Sequence, residues 1–186
     1  MPQPLKDTSA EVLTEVGDLC RKLTASVFGD PQARPRLDVA ASCLWAAYGL
    51  TCWVTCGAPE STARIERAQR HYLEQDVPLH EQLQELAGQI TGEFTDLTGE
   101  HWDGPQTRPL LDAGADSLRA AMGFLVSVLG DMPPRLGVDL GSEYLRRADA
   151  AYRDLPGTYG RAGADPIHEH LKHASDISRG LAAAPR

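Results

Sequence analysis

A chain of 186 residues is long enough to bury a substantial core and short enough to be read as one domain, 1–186. Its formal net charge of -8 and pI near 5.2 argue against any dominant affinity for nucleic acid or anionic membrane surfaces, which depends on clustered Lys and Arg. Lys occurs only at positions 6, 22 and 172, and the preference for Arg, with abundant Ala and Gly, suits coding from a GC-rich bacterial genome.

The N-terminus, MPQPLKDTSAEV, lacks the basic start and apolar run of a secretion signal, so a cytoplasmic location is expected, with residues 1–7 and 183–186 as flexible ends. Thr8-Ser9-Ala10-Glu11 has the form of a capping box. Val12, Val16, Leu19, Leu23 and Val27 follow at helical spacing, predicting a first helix that runs to Gly29. After Pro31 and Pro35, the stretch Val39 to Pro59 carries no charge, and its length is that of a membrane span. A bilayer segment is normally richer in Leu, Ile, Phe and Val. This one is diluted by Ala40, Ala41, Ser42, Ala46, Ala47 and Gly49, small residues that let neighbouring helices approach, and it is read as a buried core helix over about 37–56.

Gly57 stops that helix and Pro59 opens a third, with Ile65, Ala68 and Tyr72 inward. Leu79, Leu83, Leu86, Ile90, Phe94 and Leu97 then form an amphipathic stripe that must pack along a neighbour. The polar connection TGEHWDGPQTRP leads to a second largely buried helix, about 110–130, ended by Gly130 and Pro133-Pro134. Ser142 is placed to cap a sixth helix carrying Leu145, Ala148, Tyr152 and Leu155, and Asp165-Pro166 to open a seventh with Ile167, Leu171, Ala174, Ile177 and Leu181 inward. No period-two alternation predicts a strand. The fold class is therefore all-α, a bundle of about seven helices.

Cys20, Cys43, Cys52 and Cys56 lack zinc-ligand spacing, and two cysteines on one helix are poorly placed for a disulfide; buried, inert thiols in a reducing compartment are expected. In HEHLKH the histidines lack the four-residue step of an H-E-x-x-H zinc motif. At about 100° per residue, His170 falls inside the apolar side of its helix, His173 at the border, and His168 away from it. No Glu-x-x-His step supports a dinuclear centre. Among helical acids, only Glu93 leans toward an apolar stripe, so a single divalent metal on His170, His173 and Glu93 is the alternative to having no cofactor. His101 and Trp102, in Glu100-His101-Trp102-Asp103, read either as a binding loop or as an aromatic plug with solvated neighbours. The LPGTYGRAGADP loop, with Tyr159 and Arg161, lacks the Lys-Ser/Thr ending of a phosphate loop, and Arg64, Arg67, Arg70 and His71 read as a solvated face.

Two function classes follow, beside a third reading as a membrane-attached protein using Val39 to Pro59. The first is a bundle that binds a small apolar molecule, in a cavity lined by Trp45, Tyr48, Trp53 and Met122 or beside Trp102, or that binds a protein partner, including a homodimer formed along the stripe of the fourth helix. The second is a small enzyme using His170 with Glu93, or His101, for acid-base or metal-assisted chemistry.

Overall fold

The computed structural model describes residues 4–130, 132–155 and 165–183. Among these it contains nine helices and no strand: α1 Pro4–Arg21, α2 Ala25–Phe28, α3 Arg34–Cys56, α4 Ala58–Glu74, α5 Leu79–Thr95, α6 Gly99–Asp103, α7 Arg108–Leu129, α8 Pro134–Arg153 and α9 Pro166–Ala183. The all-α bundle expected from the periodicity is present, with α2 and α6 as two short helices beyond the seven.

The uncharged helix α3 is the axis of the bundle. Every residue from Val39 to Cys52 is buried, and α4, α5, α7 and α9 pack around it. It is long and apolar enough to cross a membrane, but most of that apolar length is buried inside the protein. Small residues make the crowding possible. A Cβ at Gly49 would lie 2.6 Å from Ile65 Cδ1 and 2.7 Å from Ile167 Cγ1, and Ser61 Oγ donates to the Gly49 carbonyl at 2.6 Å, so α4 and α9 rest almost on the α3 backbone. The helix ends at Gly57, whose φ of 86° is open to glycine at little cost. Helix α7 runs antiparallel to α3, with Arg36 Nη1 donating to the Ser127 carbonyl at 2.7 Å at one end and Gly114 beside Leu50 nearer the other.

Helices α7 and α8 meet through glycine. A Cβ at Gly123 would lie 2.7 Å from Gly141 N and 2.9 Å from Gly137 O, while one at Gly137 would lie 2.7 Å from Gly123 O. Helix α8 is fastened to α9 by Ser142 Oγ and Ser178 Oγ at 2.7 Å, and by the Tyr152 hydroxyl donating to Asp165 Oδ2. Asp165 also accepts from the His168 amide at 3.3 Å, the cap expected of it.

Several boundaries differ from the sequence expectation. Helix α1 already begins at Pro4 and includes residues expected to be flexible, so Thr8 and Glu11 lie inside it and the capping box is not used as one. It stops at Arg21 instead of Gly29. The extended Thr24 starts the separate α2 and accepts from Val27 N at 3.4 Å. Helices α3 and α7 start two or three residues early, each drawing a proline into its first turn. Ser142 does not cap α8, because the N-cap is Pro133, nine residues earlier. Helix α9 extends to Ala183, the first residue of the expected flexible end. The α5 stripe is turned inward, with Leu83, Leu86 and Ile90 fully buried against α1 and α3.

Candidate functional site

Helices α1 and α5 lie antiparallel. Gln84 Nε2, near the start of α5, donates to the Cys20 carbonyl at 3.1 Å and the Leu23 carbonyl at 3.5 Å, fixing the C-terminal end of α1 there. Both helices turn their large apolar residues into the core, which leaves two flanking stripes of mostly small residues: Ala10, Leu13, Thr14, Gly17 and Arg21 on α1, and Gln84, Ala87, Gly88, Thr91 and Thr95 on α5. Between them runs a groove of about 630 Å³, within the range of small-molecule sites. A Cβ at Gly88 would touch nothing within 4 Å, so the groove stays open for want of side chains to fill it.

The floor is apolar, made by Leu13, Ala87, Phe94 and Trp102. Trp102 arrives from α6, which a local capping arrangement starts: Thr98 N donates to His101 Nδ1 at 2.9 Å, so this histidine accepts through Nδ1. Thr107 Oγ1 donates to the His101 carbonyl and pins the end of that turn. The indole is 2% exposed and packs on Phe94 at 5.8 Å between ring centroids; its N–H is buried with no hydrogen-bond partner among the described residues. The aromatic-plug reading of Trp102 holds, and the plug is also part of the groove floor.

A second, more polar cavity of about 410 Å³ lies between α3, α4 and α5, lined by Tyr48, Arg64, Arg67, His71, Tyr72 and Glu85 among others. Its cations are answered. Arg64 Nη1 bonds Glu93 Oε1 at 2.7 Å, and Arg67 bonds Glu60 at 2.8 Å. Arg64 also approaches Cys52 Sγ at 3.8 Å, but burial, with the Glu93 charge adding, pushes that thiol up to about 11. Burial, with Cys52 beside it, likewise raises the Tyr48 hydroxyl. Both groups remain protonated near neutral pH and provide no nucleophile there.

No family model, curated protein or solved structure matches this chain. The residues singled out for acid-base or metal chemistry have separate engagements. His170 is stacked on Trp45 at 5.9 Å and 13°, with its Nε2 at 2.7 Å from Gln69 Nε2, and burial, with His173 adding, pulls it down to about 4. Glu93 is held by Arg64 and by Thr55 Oγ1 at 3.3 Å, His101 caps α6, and His173 is exposed. Among the described residues no group of three or more His, Cys, Asp or Glu could hold a metal ion, so His170, His173 and Glu93 do not assemble a centre.

The expected aromatic cavity is also divided. Trp45 is buried in ring contacts with Tyr48, Tyr72 and His170, Trp53 packs on Tyr152 at 6.4 Å, and Met122 packs against the core; none of these three lines either cavity, whereas Tyr48 lines the polar one. Three details correct the sequence reading. Cys56 is exposed, not buried; His168 is half-buried; and Asp116 and Asp149 join Glu93 as largely buried helical acids, with burial raising Asp116 against its Arg119 partner at 2.9 Å. The loop residues Tyr159 and Arg161 lie outside the described residues.

The groove itself escaped the sequence reading. Its signal was there: small residues recur at steps of three and four beside the apolar stripes of both helices, at 10, 14 and 17 and at 87, 88 and 91. Two such flanks mark a groove only once the helices are known to be neighbours.

Proposed function

We propose that this protein binds a small, largely apolar molecule in the groove between α1 and α5. The observation that carries the reading is an open space of about 630 Å³ with an apolar floor of Leu13, Ala87, Phe94 and Trp102, in a bundle where no group of three or more His, Cys, Asp or Glu among the described residues could hold a metal ion. Buried Cys20, Cys43 and Cys52 suit a reducing compartment and support a cytoplasmic location, and the net charge of -8 disfavours nucleic acid as a partner.

Ligand that binds only the folded state stabilises it by about 2.7 kcal/mol at a hundredfold excess over Kd, which raises Tm by about 5–10 °C for a chain this size. Thermal melts against a set of apolar compounds should show such shifts for some members. Gly88→Leu should remove them without harming the fold, since its side chain enters unoccupied space. A protein that shows no shift with any member of the set, or shifts that persist in Gly88→Leu, would defeat the reading.

A further inference from the structure

The charges along the groove are all of one sign. In a chain of net charge -8, the charged side chains lining it are Lys6 and Arg21, while Asp7, Glu11, Glu15 and Asp18 of α1 and Glu81, Glu85 and Glu93 of α5 are absent from its walls. Arg21 is answered by Asp18, whereas Lys6 has no ion pair among the described residues. The two cations stand fifteen residues apart on α1, about 22 Å at the rise of an α-helix. Between them the walls are chemically quiet. Thr14 donates to the Ala10 carbonyl at 3.0 Å, Thr91 to Ala87 at 2.9 Å and Thr95 to Thr91 at 2.8 Å, so each hydroxyl hydrogen is committed to its own helix. The antiparallel arrangement sets Lys6 at the same end of the groove as Phe94, Thr95 and Trp102.

We propose that the groove takes an anionic amphiphile, its carboxylate or sulfate head at Lys6 and its apolar tail along Leu13 and Ala87 toward Gly17 and Gly88. This rests on the reading of the groove as a binding site and adds the chemical class. A long apolar trough with one unanswered cation at its aromatic end favours an elongated molecule charged at one end. A compact neutral ligand would leave both the trough and the cation unused.

The test is titration calorimetry of the full chain at low salt with dodecanoate and dodecanol, below their aggregation limits. Dodecanoate should bind at least about tenfold more tightly than dodecanol, and Lys6→Gln should remove most of that preference while leaving dodecanol affinity unchanged. Gly88→Leu should weaken both ligands about tenfold or more. Equal affinity for the two ligands in the native protein, or a preference that survives Lys6→Gln, would overturn the assignment of an anionic head and leave the groove reading standing. Failure of both ligands to bind, or indifference of both to Gly88→Leu, would overturn the groove reading and this proposal with it. Circular dichroism on each variant confirms that the fold persists, since Lys6 is exposed and Gly88 opens on empty space.

Discussion

Replacing Gly123 with Ala is the sharpest perturbation the fold offers. In a helix interior the change should stabilise by about 1 kcal/mol, because Ala loses less backbone entropy and is the better helix former. Here the new Cβ would lie 2.7 Å from Gly141 N, 2.8 Å from Gly141 Cα and 2.9 Å from Gly137 O, against ordinary carbon contacts of about 3.5–4.0 Å. All three obstacles are backbone, so no rotamer change relieves them, and α8 must move away from α7 by something approaching 1 Å. A gap of that size forfeits about a quarter to a half of the dispersion well for the groups along it. Val138, Leu145, Ala148 and Tyr152 of α8 are all buried, and overpacking alone typically costs about 1–3 kcal/mol. With backbone on every side the cost belongs at the upper end of that range, about 3 kcal/mol, so set against the propensity gain the net destabilisation should be about 2 kcal/mol, or a fall in Tm of about 4–8 °C. Urea unfolding followed by far-UV circular dichroism measures it. The internal control is Gly88→Ala, the same chemical change on a helix with nothing within 4 Å of the added atom, which should stabilise by about 0.5–1 kcal/mol. If Gly123→Ala proved as stable as the native chain, or both variants moved in the same direction, the close approach of α7 and α8 would be refuted.

Two further outcomes test the interior. His170 is held down to about 4 in the fold against about 6.5 when unfolded, so between those pH values the unfolded chain takes up a proton that the folded one refuses. Its contribution is fully present above pH 6.5 and is lost as pH falls toward 4, by at most about 3 kcal/mol; in His170→Phe, which keeps a ring against Trp45, unfolding free energies should fall less steeply over that window, and parallel curves would refute the assignment. Thiol labelling of the native protein should modify Cys56 while sparing Cys20 and Cys43, which are buried and pushed up to about 12, and Cys52; mass spectrometry showing Cys43 labelled as fast as Cys56 would contradict the packing of α3.

The sequence by itself determined the helical class and the identity of the central helix. An uncharged run diluted with Ala and Gly has no stable place in water except among close-packed neighbours, and the steps of three and four in α5 and α9 specify which side turns inward. Gly57 and Asp165 also announced their ends, because a positive φ and an N-terminal cap depend on local chemistry. The start of α8 was less accessible: proline reads equally well as the end of one helix or the opening of the next, and the glycines that pull α8 onto α7 act only once both helices are present. The tertiary structure alone decided the rest. It gave His170 a tryptophan face and a glutamine where a metal partner was conceivable, paired Glu93 with Arg64, and used His101 to cap the turn that delivers Trp102. It also placed two flanks of small residues opposite each other. A groove is the space two helices fail to fill, so it belongs to their juxtaposition, which no periodicity within either helix can specify.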